Sequence, residues 1–357
     1  MAPTRVLVVE DSITTRKRLV EVLAADPDIV VVGEAGDGQR GVELCANLRP
    51  DVVTLDMMLP VMSGLAATEF IMAYSPTPIL IVSASTNRGE LFKTYDALAA
   101  GALDVLEKPT GDEPDGAWEQ KLVTTVKLIS RIKVITHPRA RLNSSTRRMT
   151  PAIGVPVDPA RHPRLVAIGT STGGPAALVT ILRALPRDFA LPILVVVHIG
   201  KLFAPAFAEW LDRQSDLRVS YARDGEPLPR VGDRRVLLAS PDYHLVLREG
   251  TLRHTRDPER HSCRPAVDVL FKSLAVELGD ECVGCILTGM GRDGAEGLLA
   301  IREAGGSTIA QDEATSVVFG MPREAILLGA AEQILPLDRI APTLTAFARR
   351  RDVRSGT

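Results

Sequence analysis

Residues 5–12 read RVLVVEDS, an apolar run that leads into two carboxylates, and this run is the first of the series that indicates the fold class of the N-terminal half. Similar short apolar runs recur along the first 106 residues: IVVVG at 29–33, DVVTL at 51–55, ILIV at 79–82 and LDVL at 103–106. Between them, apolar residues are spaced three or four apart, as in amphipathic helices. Buried strands that alternate with helices predict right-handed βαβ units, so we expect a (βα)5 domain with a parallel sheet.

The C-terminal half repeats this alternation after a change in composition. Its apolar runs are RLVAIG at 164–169, PILVVV at 192–197, RVLLA at 235–239, CVGCILT at 282–288 and STIA at 307–310. They predict a second α/β domain with a doubly wound parallel sheet. Residues 136–164 are rich in Pro, Ser and Arg, which indicates a linker after a helix over 122–135. The predicted boundaries are 1–125 for the first domain, 126–163 for helix and linker, and 164–350 for the second domain.

The overall composition is that of a globular protein without a strong charge. Of 357 residues, 45% are hydrophobic and 24% are charged, which excludes disorder as the main state. Lys+Arg 42 and Asp+Glu 44 give a net charge of -2, so no global field favours nucleic acid or an anionic membrane. Four cysteines are too few for a disulfide scaffold, and we find neither a secretory signal nor a run long enough to span a membrane. We therefore expect a cytoplasmic protein.

Five polar side chains follow strands of the first predicted sheet. Glu10 and Asp11 follow the first strand, Asp56 the third, Ser83 the fourth and Lys108 the fifth. Functional groups gather at the carboxyl ends of parallel strands, so we expect these five to converge. Three carboxylates at one place repel one another unless a cation lies among them, and Mg²⁺ prefers such oxygen ligands. One acidic residue alone would be ordinary in a strand-end loop, but the set of five predicts a site for phosphoryl transfer to a carboxylate.

Residues 4–120 resemble the receiver domains of two-component signalling. The resemblance rests on VVEDS at 8–12, LDMMLPVMSG at 55–64, VSAST at 82–86 and the pair Lys108-Pro109. It implies that a histidine kinase phosphorylates Asp56. The metal ligands it implies are Glu10, Asp11, Asp56 and the backbone of Met58, and the switch residues it implies are Ser83 and Lys108.

Two positions depart from the receiver pattern. Val105 stands where receivers usually carry an aromatic switch residue, which implies a readout other than rotation of a ring. Met58 stands two residues after Asp56, where receivers often have a polar or charged residue, and this implies a changed lifetime of the phosphoryl group.

The second predicted sheet carries a different set of side chains. Its first strand runs into GTSTGG at 169–174, which fits the nucleophile-elbow pattern around Ser171. His198 ends the strand PILVVVH, and Asp293 follows the strand CVGCILT. A serine hydroxyl becomes a good nucleophile when an imidazole takes its proton and a carboxylate fixes the imidazole tautomer. We therefore expect these three residues to converge, in a chain order that differs from the Ser, Asp, His order of ordinary α/β-hydrolases.

Other interpretations of the same segments remain open. A Gly-rich strand-to-helix turn such as 169–174 also binds phosphates or merely turns the chain. The segment GMGRDG at 289–294, with Asp312 further on, matches the dinucleotide-binding fingerprint and would indicate a dinucleotide enzyme. Cys282 and Cys285 form a CxxC pair, although in a strand they point in different directions and no second pair accompanies them. Outside enzymes, the alternative is a signalling adaptor that keeps the fold without catalysis.

Residues 160–350 resemble the catalytic domain of the chemotaxis receptor methylesterases, the CheB family. The matching segments are IGTSTGG at 168–174, VVVH at 195–198, SCRPAVDVLF at 262–271, ILTGMGRDG at 286–294 and QDEATSVVFGMP at 311–322. The roles implied are Ser171 as nucleophile, His198 as base, Asp293 as orienting group and the backbone amide of Met290 as oxyanion donor. The chain departs from the family at 199–203, where IGKLF replaces the usual Met-Pro-Pro.

Together, the two resemblances imply a phosphorylation-activated methylesterase. Its implied substrates are glutamate methyl esters, and glutamines by deamidation, on the cytoplasmic helices of methyl-accepting chemoreceptors. A histidine kinase of the chemotaxis type is the implied phosphodonor, with Mg²⁺ needed for phosphorylation and no cofactor for ester hydrolysis. We expect a monomer that binds no nucleic acid, does not insert into the membrane, and uses its unphosphorylated receiver to cover the Ser171 cleft.

Overall fold

The computed structural model describes residues 2–84, 87–109, 116–132, 134, 162–200 and 203–352. The chain forms two compact units that divide between residues 147 and 148. Most of the linker predicted over 136–164 lies outside the described residues, as do the last two residues of VSAST and two residues of IGKLF. The extent of the linker therefore stays a prediction.

The N-terminal unit is a five-stranded parallel sheet with strand order β2-β1-β3-β4-β5. Its strands are β1 (Thr4–Val9), β2 (Ile29–Ala35), β3 (Val52–Leu55), β4 (Ile79–Ser83) and β5 (Asp104–Glu107). Its helices are α1 (Ile13–Ala24), α2 (Gly38–Leu48), α3 (Gly64–Tyr74), α4 (Arg88–Ala99) and α5 (Ala117–Ile129). Successive residues of β1, β3 and β4 are buried, so both faces of the sheet are covered, and this confirms the predicted (βα)5 receiver fold.

The helix predicted to leave this unit over 122–135 is instead its fifth packed helix. It spans Ala117–Ile129, and its Leu122 is fully buried against the unit. Near its end, Lys127 Nζ lies 2.6 Å from Asp26 Oδ1 in the loop after α1. Because the helix carries an apolar face that the sheet needs covered, it packs back onto the sheet, and the boundary predicted at residue 125 falls inside it.

The C-terminal unit contains a seven-stranded parallel sheet with order β14-β13-β12-β6-β7-β9-β8 and a separate antiparallel pair, β10-β11. The strands are β6 (Leu165–Thr170), β7 (Ile193–Val197), β8 (Arg218–Tyr221), β9 (Arg235–Leu238), β10 (His244–Arg248), β11 (Thr251–Thr255), β12 (Cys282–Ile286), β13 (Ser307–Gln311) and β14 (Gln333–Leu335). The helices are α6 (Gly174–Ala184), α7 (Ala204–Asp212), α8 (Val267–Leu278), α9 (Ala295–Glu303), α10 (Met321–Leu327) and α11 (Leu337–Asp352).

The strand order makes this sheet doubly wound, as predicted. From β6 the chain adds β7, then β8 at the sheet edge and β9 between β7 and β8, and it later returns to the other side of β6 with β12, β13 and β14. The two directions meet between β6 and β12, and such a reversal leaves a crevice at the carboxyl ends of the strands. The sequence did not predict β8, β14 or the β10-β11 pair, because these strands are short and carry polar residues among the apolar ones.

The core explains why the central strands read as unbroken apolar runs. Leu165 and Ala167 of β6 pack in one cluster with Phe271 of α8 and Leu298 of α9, while Val166 on the alternate face is also fully buried. A strand with helices on both faces needs apolar residues at every position. Within the described residues, no helix combines the length and the hydropathy required to cross a membrane.

Candidate functional site

Ser171, His198 and Asp293 follow three strands that are neighbours in the second sheet. Ser171 comes directly after β6, His198 directly after β7, and Asp293 follows β12. The amide of His198 donates to the carbonyl of Thr170 at 3.1 Å, so β6 and β7 stay paired up to the site. The sheet therefore brings together, at its switch point, side chains that are far apart in sequence.

The turn after β6 needs small residues. Gly173 has φ +78°, a left-handed conformation that favours glycine, and it allows the chain to turn into α6 directly after Ser171. Gly289, in the loop after β12, lies so close that an added Cβ would be 2.9 Å from Ser171 Cβ. These glycines leave Ser171 half-buried at the start of a helix, where backbone N–H groups and the helix dipole favour negative charge.

Thr288 holds this turn to the loop after β12. The backbone amide of Ser171 donates to the Thr288 carbonyl at 3.1 Å, and the Thr288 hydroxyl donates to the carbonyl of Thr172 at 2.9 Å. The amide of Val318 donates to the same hydroxyl at 2.9 Å, and the Gln311 side chain accepts from the Thr288 amide at 2.8 Å. Since Thr288 is buried, each of these groups depends on a protein partner.

Asp293 is a buried carboxylate that accepts hydrogen bonds from three donors. Its Oδ2 lies 2.9 Å from His198 Nε2 and accepts from the amide of Val267 at 2.7 Å, while Oδ1 accepts from the amide of Asp268 at 3.0 Å. Asp293 thereby caps the N-terminus of α8, whose own N-cap residue is Ala266 and provides no side-chain acceptor. Burial alone would raise the pKa of Asp293, but the hydrogen bond from His198 and those from the two amides lower it below the usual value.

His198 has a different partner on each ring nitrogen. Because Asp293 is ionised and can only accept, Nε2 carries a proton, and the neutral ring keeps its lone pair on Nδ1. Cys263 Sγ lies 3.7 Å from Nδ1. Burial opposes charge on the ring, yet the hydrogen bonds with Asp293 and Cys263 outweigh it and raise the pKa of His198 to about 9.

Ser171 and His198 lie on adjacent strand ends, but no hydrogen bond joins their side chains in this structure. Hydrogen bonds between nucleophile and base are often long without substrate and tighten when substrate binds. The lone pair of the neutral ring lies on Nδ1, so Nδ1 is the atom that can accept the serine proton.

Met290 lies in the loop next to the serine turn. Its side chain is exposed, and among the described residues its backbone N–H has no hydrogen-bond acceptor. By contrast, the neighbouring amide of Gly289 donates to the carbonyl of Val318 at 3.0 Å. An unengaged amide beside a nucleophile can donate to a developing oxyanion.

The remaining candidates in this unit have structural surroundings. Cys282 and Cys285 are fully buried in β12, and burial raises the pKa of the Cys282 thiol to about 12 and that of Cys285 further. Asp312 of the dinucleotide pattern accepts from the amide of Thr315 at 3.0 Å and closes a local turn. Neither pattern gathers further functional groups among the described residues.

Sequence reasoning assigned no role to Cys263 or Thr288. Cys263 lies in the segment SCRPAVDVLF, which served only for the family resemblance, and it precedes α8 rather than ending a strand. Thr288 lies directly before Gly289 at the end of CVGCILT. A polar residue that ends an apolar run in front of a Gly-rich loop was the available signal for Thr288.

The first predicted site also forms at the carboxyl edge of its sheet. Lys108 Nζ lies 2.8 Å from Glu10 Oε2 and 3.0 Å from Asp56 Oδ2, and the Lys108 amide donates to the Ser83 carbonyl at 3.0 Å. Glu10, Asp56 and Ser83 are buried, whereas Asp11 is exposed. The sheet therefore brings all five predicted side chains to one edge.

Charge and burial oppose each other at this edge. Burial raises the pKa of Glu10, and the hydrogen bond from Lys108, which lowers this pKa, offsets only part of that effect. Burial would lower the pKa of Lys108, but the hydrogen bond to Glu10 and the charge of Asp56 raise it. Met58 is largely exposed and Val105 is half-buried on β5.

The carboxylates are close enough to share a cation. One oxygen from each of Glu10, Asp11 and Asp56 can be chosen so that all three lie within 4.8 Å of one another. This donor set contains oxygen only and lies partly open to solvent, which fits Mg²⁺ better than a softer metal.

The two folds and their strand-end side chains define the class: a two-unit α/β protein, with an acidic site and its lysine on the first sheet and a Ser, His and Asp set on the second. The sequence profile of the response regulator receiver domain matches residues 6–114, and that of the CheB methylesterase matches residues 166–344.

Full-length relatives are similar throughout. A protein-glutamate methylesterase/protein-glutamine glutaminase of Nitrosospira multiformis is 43% identical over 350 residues, 97% of this chain and 97% of the relative. A second one, of Anaeromyxobacter dehalogenans, is 44% identical over 347 residues, 97% of this chain and 98% of the relative. The crystal structure of the Thermotoga maritima CheB methylesterase catalytic domain is 37% identical and covers 52% of this chain and 98% of that chain, with a TM-score of 0.49. This chain belongs to the CheB methylesterase family and carries a receiver domain ahead of the methylesterase domain.

Proposed function

We propose that this chain is a phosphorylation-activated hydrolase that removes methyl esters from glutamates of chemoreceptors and deamidates their glutamines. The observation that carries the proposal is the pair His198–Asp293, joined at 2.9 Å at the switch point beside Ser171. The names of the full-length relatives supply the substrate class.

In the proposed reaction, Ser171 Oγ attacks the carbonyl carbon of the glutamyl ester and its proton passes to His198 Nδ1. Asp293 holds the ring through Nε2–H and stabilises the imidazolium that forms. The amide of Met290 and the N-terminus of α6 stabilise the oxyanion, an effect worth roughly 10²–10³ in rate for one donor.

One acyl-enzyme serves both substrates. Collapse of the tetrahedral intermediate releases methanol from an ester or ammonia from a glutamine, and in each case the leaving group takes the proton held on His198. Water then attacks the glutamyl-serine ester, gives its proton to Nδ1, and releases glutamate while the serine regains its hydroxyl.

The receiver unit supplies the control. We infer that Asp56 accepts a phosphoryl group from a histidine kinase, and that Glu10, Asp11, Asp56 and the backbone carbonyl of Met58 hold Mg²⁺ there. When bound, Mg²⁺ neutralises the charge on the phosphoryl oxygens. Lys108, already within 3.0 Å of Asp56, is positioned to contact an added oxygen, and Ser83 lies on the neighbouring strand end. Chemoreceptors and this kinase are the proposed partners, in the cytoplasm.

The direct test is Ser171→Ala, assayed by methanol release from methylated receptor. We expect loss of nearly all activity, because Ser171 Oγ is the nucleophile of the proposed acyl-enzyme. The matched control is Ser215→Ala, which alters a serine whose Oγ accepts from the Leu217 amide at 3.0 Å and makes no other hydrogen bond among the described residues, and we expect it to retain its rate. If Ser171→Ala keeps more than a few per cent of the activity, the acyl-enzyme mechanism is wrong. A chain with the fold but no catalysis would release no methanol even with Ser171 intact.

A further inference from the structure

Cys263 lies next to Nδ1 of His198, the ring nitrogen that carries the lone pair of the neutral imidazole. Cys263 Sγ lies 3.7 Å from His198 Nδ1, while the other ring nitrogen, Nε2, lies 2.9 Å from Asp293 Oδ2. Donor atoms of these three residues lie within 4.8 Å of one another. Cys263 is half-buried, whereas Cys45, Cys282 and Cys285 are buried. It is therefore the least buried cysteine of this chain.

The separation of the two donor atoms fits one metal ion between them. Zinc binds histidine nitrogen at about 2.0–2.1 Å and thiolate at about 2.3 Å, which at a tetrahedral angle separates the two donors by about 3.6 Å. The observed distance is 3.7 Å. Asp293 on the other ring nitrogen completes the carboxylate–histidine–metal arrangement in which an outer carboxylate fixes the tautomer and orients the ring.

The turn that carries the thiol is preorganised. Arg260 and Cys263 exchange backbone hydrogen bonds of 3.2 and 2.9 Å, and the two residues between them, His261 and Ser262, have φ of +52° and +59°. His261 Nε2 is anchored 3.0 Å from the buried Asp268 Oδ2. Because the turn is closed at both ends, Sγ needs no rearrangement of the backbone to meet a cation held by His198.

We propose that His198 Nδ1 and Cys263 Sγ bind a thiophilic divalent cation of the zinc class, with Asp293 as outer partner and water at the remaining positions, and that this cation inhibits the hydrolase. On binding, the thiol gives its proton to solvent and ligates as thiolate. The inhibition rests on the proposed function, since a metal on Nδ1 occupies the lone pair that the serine proton needs. The binding itself does not rest on that function.

Binding is tested on the reduced, full-length chain with Co²⁺ as the probe and Mg²⁺ in excess to fill the acidic site of the receiver. We expect a thiolate-to-cobalt absorption band that saturates at one equivalent and is displaced by Zn²⁺. Cys263→Ser should abolish the band, and the matched control Cys45→Ser, a buried thiol in the other unit, should retain it. Absence of the band in the wild type, or its persistence in Cys263→Ser, overturns the site.

Inhibition is tested by methanol release during a Zn²⁺ titration, with each variant normalised to its own metal-free rate. We expect Zn²⁺ to inhibit the wild type, a chelator to restore it, and Cys263→Ser to raise the half-inhibitory concentration at least roughly tenfold, the lower end of what losing even an outer partner costs. If Co²⁺ binds as expected but Zn²⁺ leaves methanol release unchanged, the inhibition is wrong and Nδ1 is not the base. If the band is absent while Ser171→Ala still abolishes activity, the metal site is wrong and the proposed function stands.

Discussion

At the scale of single residues, the proposed chemistry depends on which nitrogen of His198 carries the proton and which carries the lone pair. Asp293 is held ionised by amides of α8, so it fixes the proton on Nε2 and leaves the lone pair of the neutral ring on Nδ1, the atom proposed as the base. Against the effect of burial, the contacts with Asp293 and with Cys263 stabilise the protonated ring and raise the pKa of His198 to about 9. A base with a raised pKa is strong but is mostly protonated at neutral pH.

The rate of methanol release should therefore rise with pH. Below the pKa of the free enzyme the ring is protonated and cannot accept the serine proton, so kcat/KM should increase from neutral pH toward about 9 and then level off. Asp293→Asn removes the stabilising charge, so the rising limb should move to lower pH. The measurement is the pH profile of kcat/KM for both proteins.

The same variant should also lower the maximal rate, since the wrong tautomer costs about 10⁴ in serine protease precedent. Asp312→Asn is the matched control, because that carboxylate only closes a local turn, and its profile should follow the wild type. A loss smaller than tenfold in Asp293→Asn, or a limb that does not move, would show that Asp293 has a structural role only.

At the scale of elements, the site is formed by the loops that follow three neighbouring strands, β6, β7 and β12. Thr288, after β12, binds the turn after β6 through the carbonyl of Thr172 and the loop before α10 through the amide of Val318. Its hydroxyl thus donates a hydrogen bond to one buried backbone group and accepts a hydrogen bond from another. The position of Ser171 depends on a side chain that takes no part in the reaction.

Thr288→Val keeps the shape of the side chain and removes the hydroxyl. We expect the free energy of unfolding of the C-terminal unit to fall by about 1–3 kcal/mol, because the carbonyl of Thr172 and the amide of Val318 lose a buried partner. Displacement of the serine turn should lower methanol release as well, by roughly 10² for a shift near 1 Å.

Denaturant unfolding monitored by Trp210 fluorescence, in a Trp118→Phe background, isolates this unit because the chain has two tryptophans. The matched control is Thr345→Val, since in the described part of the chain that hydroxyl donates to the Ala341 carbonyl of its own helix and to no other group. Equal losses of stability in the two variants would argue against the bridging role of Thr288.

At the scale of the whole molecule, the chain couples an acidic phosphoacceptor site to a hydrolase. Phosphorylation replaces the single negative charge of the Asp56 carboxylate with a phosphoryl group that carries nearly two, next to Glu10 and Lys108. With Val105 in place of an aromatic residue, we expect the readout to pass through Ser83 and the segment that ends at Lys108. A tenfold activation requires about 1.4 kcal/mol of differential stability between inactive and active arrangements.

Two changes test this coupling by methanol release with and without a phosphodonor. Asp56→Ala should abolish the response to phosphodonor, whereas Asp28→Ala, which removes an exposed carboxylate of the same unit, should preserve it.

Deletion of residues 1–135 should raise the basal rate, because the unphosphorylated receiver is proposed to cover the Ser171 cleft. A fragment no more active than the unphosphorylated full-length chain would indicate that the receiver only delivers the enzyme to its receptor.

By itself, the sequence determined the two parallel α/β folds and placed the candidate residues at strand ends. Both follow from local physics: a strand covered on two faces must be apolar throughout, and the chain can change to polar residues only where that strand ends. Ser171, His198 and Asp293 could be singled out in this way, as could Asp56 and its neighbours.

Which of these side chains meet, and through which atoms, follows from the packing of the strands and helices. The order of strands in the sheet makes β6, β7 and β12 neighbours, and no local pattern encodes that order. Cys263 comes from a turn that ends no strand, so its contact with Nδ1 arises from the packing of α8 against Asp293. The extent of α5 was likewise decided by the sheet face that it covers, because burial of an apolar face outweighs the weak signals that mark a helix boundary.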